Sequence, residues 1–243
     1  MIIVIVLKIQ GKYFYTKFYP LSQGYHKEVL IPVLNAELEG ELTIPKGAKG
    51  IVVFSHGSGS SRKSARNQMV AQRLHQHNFG TLLFDLLTEE EDKRYLNRFN
   101  IDLLSVRLIA VTEWLSAQKE FSVYKIGYFG ASTGAASALK AASIFPKISA
   151  VVSRGGRPDL AMDVLDKIKA PVLLIVGSLD YDVIQLNNTA YGKLKCEKKL
   201  KIIDGASHLF EEEGTLDKVA EEAIQWFEKN LISVNKSNTE IYV

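Results

Sequence analysis

The sequence is poor in cysteine and in proline: its 243 residues include one cysteine, Cys196, and six prolines. A single cysteine excludes an intramolecular disulfide framework and fits a reducing compartment, so we expect a cytoplasmic location. An excess of one charge is also lacking, because 30 Lys and Arg residues against 27 Asp and Glu residues leave a net charge of +3. So small a charge indicates no nucleic-acid-binding surface.

Long hydrophobic runs are missing as well. The apolar start, Met1 to Leu7, ends at Lys8, and it is far shorter than the roughly 20 residues needed to cross a bilayer. It lacks the basic leading segment and the small-residue cleavage site of a signal peptide, so we expect neither targeting nor membrane contact. We interpret residues 1–26 as an N-terminal extension or edge strand.

The remaining composition is that of a globular protein, with 47% hydrophobic and 23% charged residues. A chain of this length can bury one sizeable core, and no Pro/Gly/Ser-rich linker divides it. The sequence therefore predicts one domain over residues 27–232, followed by a polar C-terminal tail at 233–243.

Short apolar runs alternate with longer amphipathic segments after two opening strands. The predicted strands cover residues 28–32, 36–44, 51–54, 81–84, 125–129, 150–152, 172–176 and 200–203. This alternation is typical of an α/β fold, and we expect a mostly parallel twisted sheet of about eight strands with helices on both faces.

Helices are predicted between these strands. The clearest places Ile101, Leu104, Leu108, Val111 and Leu115 on one face, and further helices are expected to begin at Ser132 and to cover residues 216–231. We interpret the charged segment 89–94 as a solvated loop.

A nucleophile motif follows the strand at 125–129: Gly130-Ala131-Ser132-Thr133-Gly134 matches the pattern G-x-S-x-G. A serine hydroxyl is a poor nucleophile and needs a base, a group that orients the base and donors for the developing oxyanion. The alternative is a Gly/Ala-rich turn that only packs a helix on a sheet. The partners along the chain therefore decide the interpretation.

The fold that uses this motif requires the order nucleophile, acid, base. Asp180 follows the strand at 172–176 directly, although Asp182 competes for the same role and either residue could instead cap a helix or form a turn. His208 lies in a small-residue loop after the next strand and is the one histidine beyond the acid. Asp102, Asp204 and Glu211 do not fit this order.

The loop Ser55-His56-Gly57-Ser58-Gly59 follows the strand at 51–54, where this fold takes an oxyanion-hole N–H. Our candidate donors are the N–H groups of Ser58 and Thr133, with Gly59 as a near alternative to Ser58. Such a loop could also cap a helix or bind phosphate, but it lacks the Gly-Lys-Ser/Thr ending of a P-loop.

From about Leu30 to Leu231, these motifs resemble the α/β-hydrolase superfamily and, within it, the dienelactone-hydrolase-like branch. Segments 127–136, 153–159 and 207–210 are similar to bacterial members found fused or adjacent to phosphoribosyltransferase-like domains. The resemblance implies the α/β-hydrolase fold. Any phosphoribosyltransferase partnership would be in trans, because this sequence shows no such domain.

The resemblance also shapes the expected chemistry. True dienelactone hydrolases carry a cysteine nucleophile, whereas this motif holds Ser132, so we expect a serine hydrolase of simple carboxylic esters that works through an acyl-enzyme without metal or cofactor. The short stretch between the strands at 150–152 and 172–176 leaves room for one helix and no large lid domain, which favours short acyl groups.

Several alternatives remain open. The same triad could serve a thioesterase, lactonase or peptidase, or the fold could be a non-catalytic binding protein. Arg154 and Arg157 are expected near the pocket and could recognise an anionic substrate, or could simply pair with acids such as Asp159. We expect a small-molecule ester as partner, neither nucleic acid nor membrane, and leave a homodimer open.

Overall fold

The computed structural model describes residues 3–9, 12–18, 24–34 and 36–232. Strands β1 (Ile3–Ile9) and β2 (Lys12–Phe18) pair with each other in antiparallel fashion and form a two-stranded sheet. The assignment of residues 1–26 to an extension stays a prediction, and the predicted tail at 233–243 lies outside the described residues.

The main sheet has eight strands, as the sequence predicts. They are β3 (Tyr25–Val33), β4 (Ala36–Ile44), β5 (Ile51–Ser55), β6 (Gly80–Phe84), β7 (Ile126–Ala131), β8 (Ile148–Arg154), β9 (Val172–Gly177) and β10 (Lys198–Ile203). Their order is β10-β9-β8-β7-β5-β6-β4-β3, and β5 to β10 run parallel while β3 and β4 pair antiparallel. The carboxyl ends of six strands therefore meet at one edge of the sheet.

Helices cover both faces of this sheet. They are α1 (Ala65–Gln76), α2 (Glu89–Asp92), α3 (Ile101–Ala117), α4 (Thr133–Ile144), α5 (Tyr181–Lys193) and α6 (Thr215–Leu231). The helices α1 and α6 bury their apolar side chains with Phe129 and Val152 on one face, while α3 and α4 pack with Tyr128 and Val151 on the other. Alternate residues of β7 and β8 thus face opposite cores, as in strands buried on both sides.

The predicted face of α3 is confirmed, since Ile101, Leu104, Leu108, Val111 and Leu115 are all buried. The α/β-hydrolase fold without a lid domain is also present. The stretch between β8 and β9 holds two 3₁₀ turns, Pro158–Ala161 and Leu165–Lys167, where we expected room for a helix. Among the described residues, no helix has the length and apolar character to cross a bilayer.

The charged segment 89–94 is largely solvated, as we expected, but it is not a loop throughout, because it begins with the short helix α2. The Thr88 hydroxyl accepts a hydrogen bond from the N–H of Glu91, whose carboxylate accepts one from the N–H of Thr88. The same carboxylate binds the buried guanidinium of Arg107 at 2.6 Å. The Thr-x-x-Glu spacing of this capping box is visible in the sequence, whereas its buried partner is not.

The start of α4 lies directly against the end of β5. A Cβ atom on Gly134 would lie 2.1 Å from the Ser55 carbonyl oxygen and 2.3 Å from that of His56. No other residue type fits at such distances, because both neighbours are main-chain atoms that cannot move independently. The second glycine of the G-x-S-x-G motif therefore permits the close approach of two backbone segments.

We expect Gly134→Ala to destabilise the protein by about 3 kcal/mol, the upper range for overpacking. The matched control is Gly192→Ala in α5, where an added Cβ meets no atom within 4 Å; it should stabilise the protein by about 0.5 to 1 kcal/mol, because alanine loses less backbone entropy in a helix. Guanidinium unfolding monitored by circular dichroism measures both. A loss below about 1 kcal/mol for Gly134→Ala would contradict the steric argument.

Candidate active site

Ser132 lies at the turn between β7 and α4 with an unusual backbone, φ 51° and ψ −119°. Residues other than glycine rarely adopt positive φ, and such strain costs about 1 to 3 kcal/mol. The surrounding main chain holds it in place: the Ser132 N–H donates to Arg154 O at 3.2 Å, and Ser132 O accepts from the N–H of Arg157 at 3.1 Å. The serine is thus fixed at the carboxyl edge of the sheet.

The predicted base and acid are in contact, since Nδ1 of His208 lies 2.6 Å from Oδ2 of Asp180. Asp180 precedes α5, but its side chain makes no capping hydrogen bond. Asp182 is exposed in the first turn of α5 and has no polar side-chain partner among the described residues. Of the two carboxylates that the sequence left as rivals, the fold brings Asp180 to the histidine.

The loops that carry this pair are joined through their main chains. The Leu179 N–H donates to Ala206 O at 3.0 Å, and the Gly205 N–H donates to the Ser178 hydroxyl at 2.8 Å. A Cβ atom on Gly177 would lie 2.2 Å from Ala206 O. Sequence reasoning missed Gly177; its position just before the acid loop is the signal that could have identified it.

One short segment lies between the serine and the histidine. Arg154 accepts the hydrogen bond from the Ser132 N–H, and a Cβ atom on the next residue, Gly155, would lie 3.5 Å from Cε1 of His208. Within the part of the chain that the structure describes, no hydrogen bond joins Ser132 Oγ to the His208 ring. Contacts of this kind tighten when substrate binds.

The loop after β5 lies on the other side of the serine. A Cβ atom on Gly57 would lie 3.2 Å from the Ser132 Cβ, and the Ser58 N–H donates to the Thr133 hydroxyl at 2.8 Å. Gly59 has a φ of 70° and is exposed. The structure therefore directs the Ser58 N–H toward the turn that carries Ser132.

His56 ties this loop to the neighbouring strand. Its Nε2 accepts a hydrogen bond from the Leu86 N–H at 3.1 Å, so the ring proton lies on Nδ1, which donates to Gly57 O at 3.0 Å. Burial lowers the pKa of His56 below its ordinary value, which favours this neutral form. Sequence reasoning placed His56 in the loop but gave it no role; the structure makes it a tether.

The two candidate substrate-binding arginines differ in their surroundings. Arg157 forms two hydrogen bonds to the Asp159 carboxylate, at 2.9 and 2.8 Å. Arg154 is only 5% exposed and has no carboxylate partner among the described residues. One of its terminal nitrogens donates to Asn67 Oδ1 at 3.4 Å and its guanidinium lies over the Phe210 ring, while its Nε has no hydrogen bond among the described residues. Burial and the nearby charge of Arg66 lower the pKa of Arg154 to about 10, so it stays protonated at neutral pH.

Metal-ligand clusters and the free cysteine are the other groups to consider in the described residues. Those residues contain no cluster of three or more His, Cys, Asp or Glu side chains able to hold a metal ion. The free cysteine, Cys196, lies outside this edge of the sheet, and burial raises the pKa of its thiol, which disfavours the reactive thiolate.

Comparison with known proteins identifies the family and the fold. The model of the dienelactone hydrolase family matches residues 38–233. A crystal structure described as dienelactone hydrolase from Anabaena variabilis shares 50% sequence identity and a TM-score of 0.83, over 86% of this chain and 99% of that one. Est1E from Butyrivibrio proteoclasticus, with 18% identity and a TM-score of 0.71, covers 83% of this chain and 98% of its own, and shares the fold.

A protein of Mycobacterium tuberculosis (strain CDC 1551 / Oshkosh) named "Putative phosphoribosyl transferase" is 51% identical over 203 residues, which is 83% of this chain and 46% of that protein. The same figures hold for its counterpart in the H37Rv strain. This chain spans about half the length of the curated relatives it matches. On the family match over residues 38–233 and these identities, the chain belongs to the dienelactone hydrolase family.

Proposed function

We propose that the protein is a serine hydrolase that cleaves short-acyl carboxylic esters. His208 takes the proton from Ser132 as its oxygen attacks the ester carbonyl, and Asp180 orients His208 and stabilises its charged form. The tetrahedral intermediate expels the alcohol, which receives the proton from His208. Water then attacks the acyl-enzyme. His208 takes a proton from the water and returns it to the Ser132 oxygen as the carboxylic acid is released.

The observation that carries this proposal is the combination of a strained Ser132 with the 2.6 Å contact between His208 and Asp180. A strained backbone persists only where surrounding structure holds it, and such strain clusters at functional sites. A paired carboxylate fixes the histidine tautomer with Nδ1 protonated, so Nε2 is free to act as the base.

The surface beside the acid and base favours small apolar groups. Leu179 and Tyr181 flank Asp180 and are 51% and 69% exposed, and Leu209 follows His208 and is 37% exposed. The short segment between β8 and β9 adds no lid above them. An open, partly apolar rim suits short acyl chains, because it would leave most of a long chain in water.

The descriptions of some solved structures with this fold name a ligand or an activity. One related solved structure is described as Est1E with ferulic acid bound, and others as esterases, such as that of Pyrococcus furiosus. These proteins are below 25% identical to this chain and share its fold. Hydrolysis of thioesters, lactones or peptides would use the same three side chains, whereas a non-catalytic binding protein with this fold would use none of them.

Replacement of the nucleophile tests the proposal. With 4-nitrophenyl acetate and butyrate as probes, Ser132→Ala should lower kcat/KM by about 10⁴-fold or more, because the covalent step is lost. Release of 4-nitrophenolate measures the rate. Equal rates for both proteins, or a wild-type rate no higher than buffer, would reject ester hydrolysis at Ser132. Lack of fluorophosphonate labelling of the folded protein would favour a binding module.

Replacing each of the two candidate carboxylates in turn tests which of them is the acid. Asp180→Asn should lower kcat by about 10⁴-fold, since an amide can hold His208 in the wrong tautomer. Asp182→Asn is the matched control, two residues away on an exposed side chain, and should keep wild-type turnover. The same ester assay reads both variants. Similar losses in the two, or a larger loss at Asp182, would overturn the assignment of Asp180.

An anionic substituent on the substrate is a further part of the proposal, supported by the unpaired charge of Arg154. Arg154→Gln should lower kcat/KM for 4-nitrophenyl hemisuccinate about tenfold more than for the butyrate ester, because only the first carries a carboxylate. Arg157→Ala should change this ratio less, since Asp159 already engages Arg157. An unchanged ratio in both variants would remove the anionic substrate from the proposal.

A further inference from the structure

The side-chain hydroxyl of Thr133 is the nearest polar partner of a predicted oxyanion donor. It accepts the hydrogen bond from the Ser58 N–H at 2.8 Å, and Thr133 is only 2% exposed whereas Ser58 is exposed. An N–H that is already directed at a hydroxyl oxygen is not free to bind a second oxygen at full strength. In this structure the Ser58 N–H, which the sequence predicts as an oxyanion donor, is engaged by the Thr133 hydroxyl.

The proton of this hydroxyl has no acceptor among the described residues. Threonines in helix interiors donate to the carbonyl four residues earlier, as Thr112 does to Leu108 O at 2.7 Å and Thr189 does to Gln185 O at 3.0 Å. Thr215, the first residue of α6, donates to Glu212 O at 2.7 Å, whereas Thr133, the first residue of α4, has no such acceptor among the described residues. A hydroxyl has one proton and two lone pairs, and here one lone pair is used while the proton is unused.

Two further features place Thr133 close to Ser132. Thr133 directly follows Ser132 in the chain, and a Cβ atom on Gly57, the residue before Ser58, would lie 3.2 Å from the Ser132 Cβ. The Thr133 N–H also has no acceptor among the described residues, and it lies at the N-terminus of α4, where the helix dipole favours negative charge. A negative oxygen on the carbon attacked by Ser132 would meet this set of donors.

We infer that the Thr133 hydroxyl is a catalytic donor to the oxyanion, and that the Ser58 N–H acts through it; this rests on the proposed ester hydrolysis. The hydroxyl accepts from Ser58 and donates to the tetrahedral oxygen, next to the Thr133 N–H. A hydroxyl that accepts a hydrogen bond is polarised and becomes a better donor. No bond is formed or broken at Thr133, because the group only stabilises charge.

The β-branched side chain suits this role better than a flexible one. The Thr133 side chain is 2% exposed, and its methyl group restricts rotation about χ1. The hydroxyl is therefore held in position before the substrate binds. Such preorganised donors stabilise an oxyanion without the reorganisation that water would need.

The test compares Thr133→Val, which keeps the shape and removes the hydroxyl, with Thr133→Ser, which keeps the hydroxyl. Loss of one oxyanion donor lowers kcat by about 10²- to 10³-fold. Because Thr133→Val removes the hydroxyl but keeps the Thr133 N–H, we expect its kcat to fall by about 10- to 100-fold, with little change in KM. Thr133→Ser should stay within about threefold of the wild type, because it keeps the donor. The assay is turnover of 4-nitrophenyl butyrate.

The opposite result has a clear meaning. Thr133→Val frees the Ser58 N–H, so turnover equal to or faster than that of the wild type would show that Ser58 acts directly and would overturn the inference. A trifluoromethyl ketone, which forms a tetrahedral oxyanion on the serine, gives a second readout. Its affinity should fall by the same factor as kcat in Thr133→Val, and an unchanged affinity would also overturn the inference.

Two controls distinguish a failure of this inference from a folding defect and from a failure of the proposed function. Thermal unfolding by circular dichroism shows whether Thr133→Val is folded; if it is not, Thr133→Ala removes the same hydroxyl with less steric demand and takes its place in both assays. A wild-type protein that turns over no ester defeats the proposed function itself. A wild-type protein that is active, beside an equally active Thr133→Val, defeats this inference alone.

Discussion

The close approach of the β7–α4 turn to the end of β5 is the constraint on which the site depends. Gly134 lacks the side chain that would strike the Ser55 and His56 carbonyl oxygens, so α4 can begin directly after Ser132. The same approach brings Thr133 within hydrogen-bond distance of the loop residue Ser58. A larger residue at position 134 would separate Ser132 from the loop that carries Ser58.

The acid and the base are assembled by a second, independent contact at the same edge. Gly177 allows the loops after β9 and β10 to approach, and their main-chain hydrogen bonds hold Asp180 against His208. The segment at Arg154 and Gly155 lies between the turn that carries Ser132 and the loop that carries His208. It also carries the buried guanidinium of Arg154, which has no carboxylate partner among the described residues, an arrangement that is unfavourable for stability.

Much of this could be predicted because local patterns carry it. Apolar runs and helical spacing locate the strands and the face of α3, and the motif around Ser132 locates the turn. Contacts between distant residues could not be predicted in this way. The charges of segment 89–94 predict a solvated loop, and four of its residues are exposed, yet the segment begins as a helix whose Glu91 binds the buried Arg107, sixteen positions away. The hydrogen bond from the Ser58 N–H to the Thr133 hydroxyl is likewise not readable from residue order.

The sequence alone predicts the fold class, the order of the candidate nucleophile, acid and base, and the loop that approaches Ser132, because each depends on residues that are neighbours along the chain. The tertiary structure is needed to show that Asp180 and not Asp182 contacts His208, that Arg157 has a carboxylate partner, and what the Ser58 N–H binds. These depend on which side chains from distant strands meet at the carboxyl edge, and that is set by backbone packing to within an ångström or so.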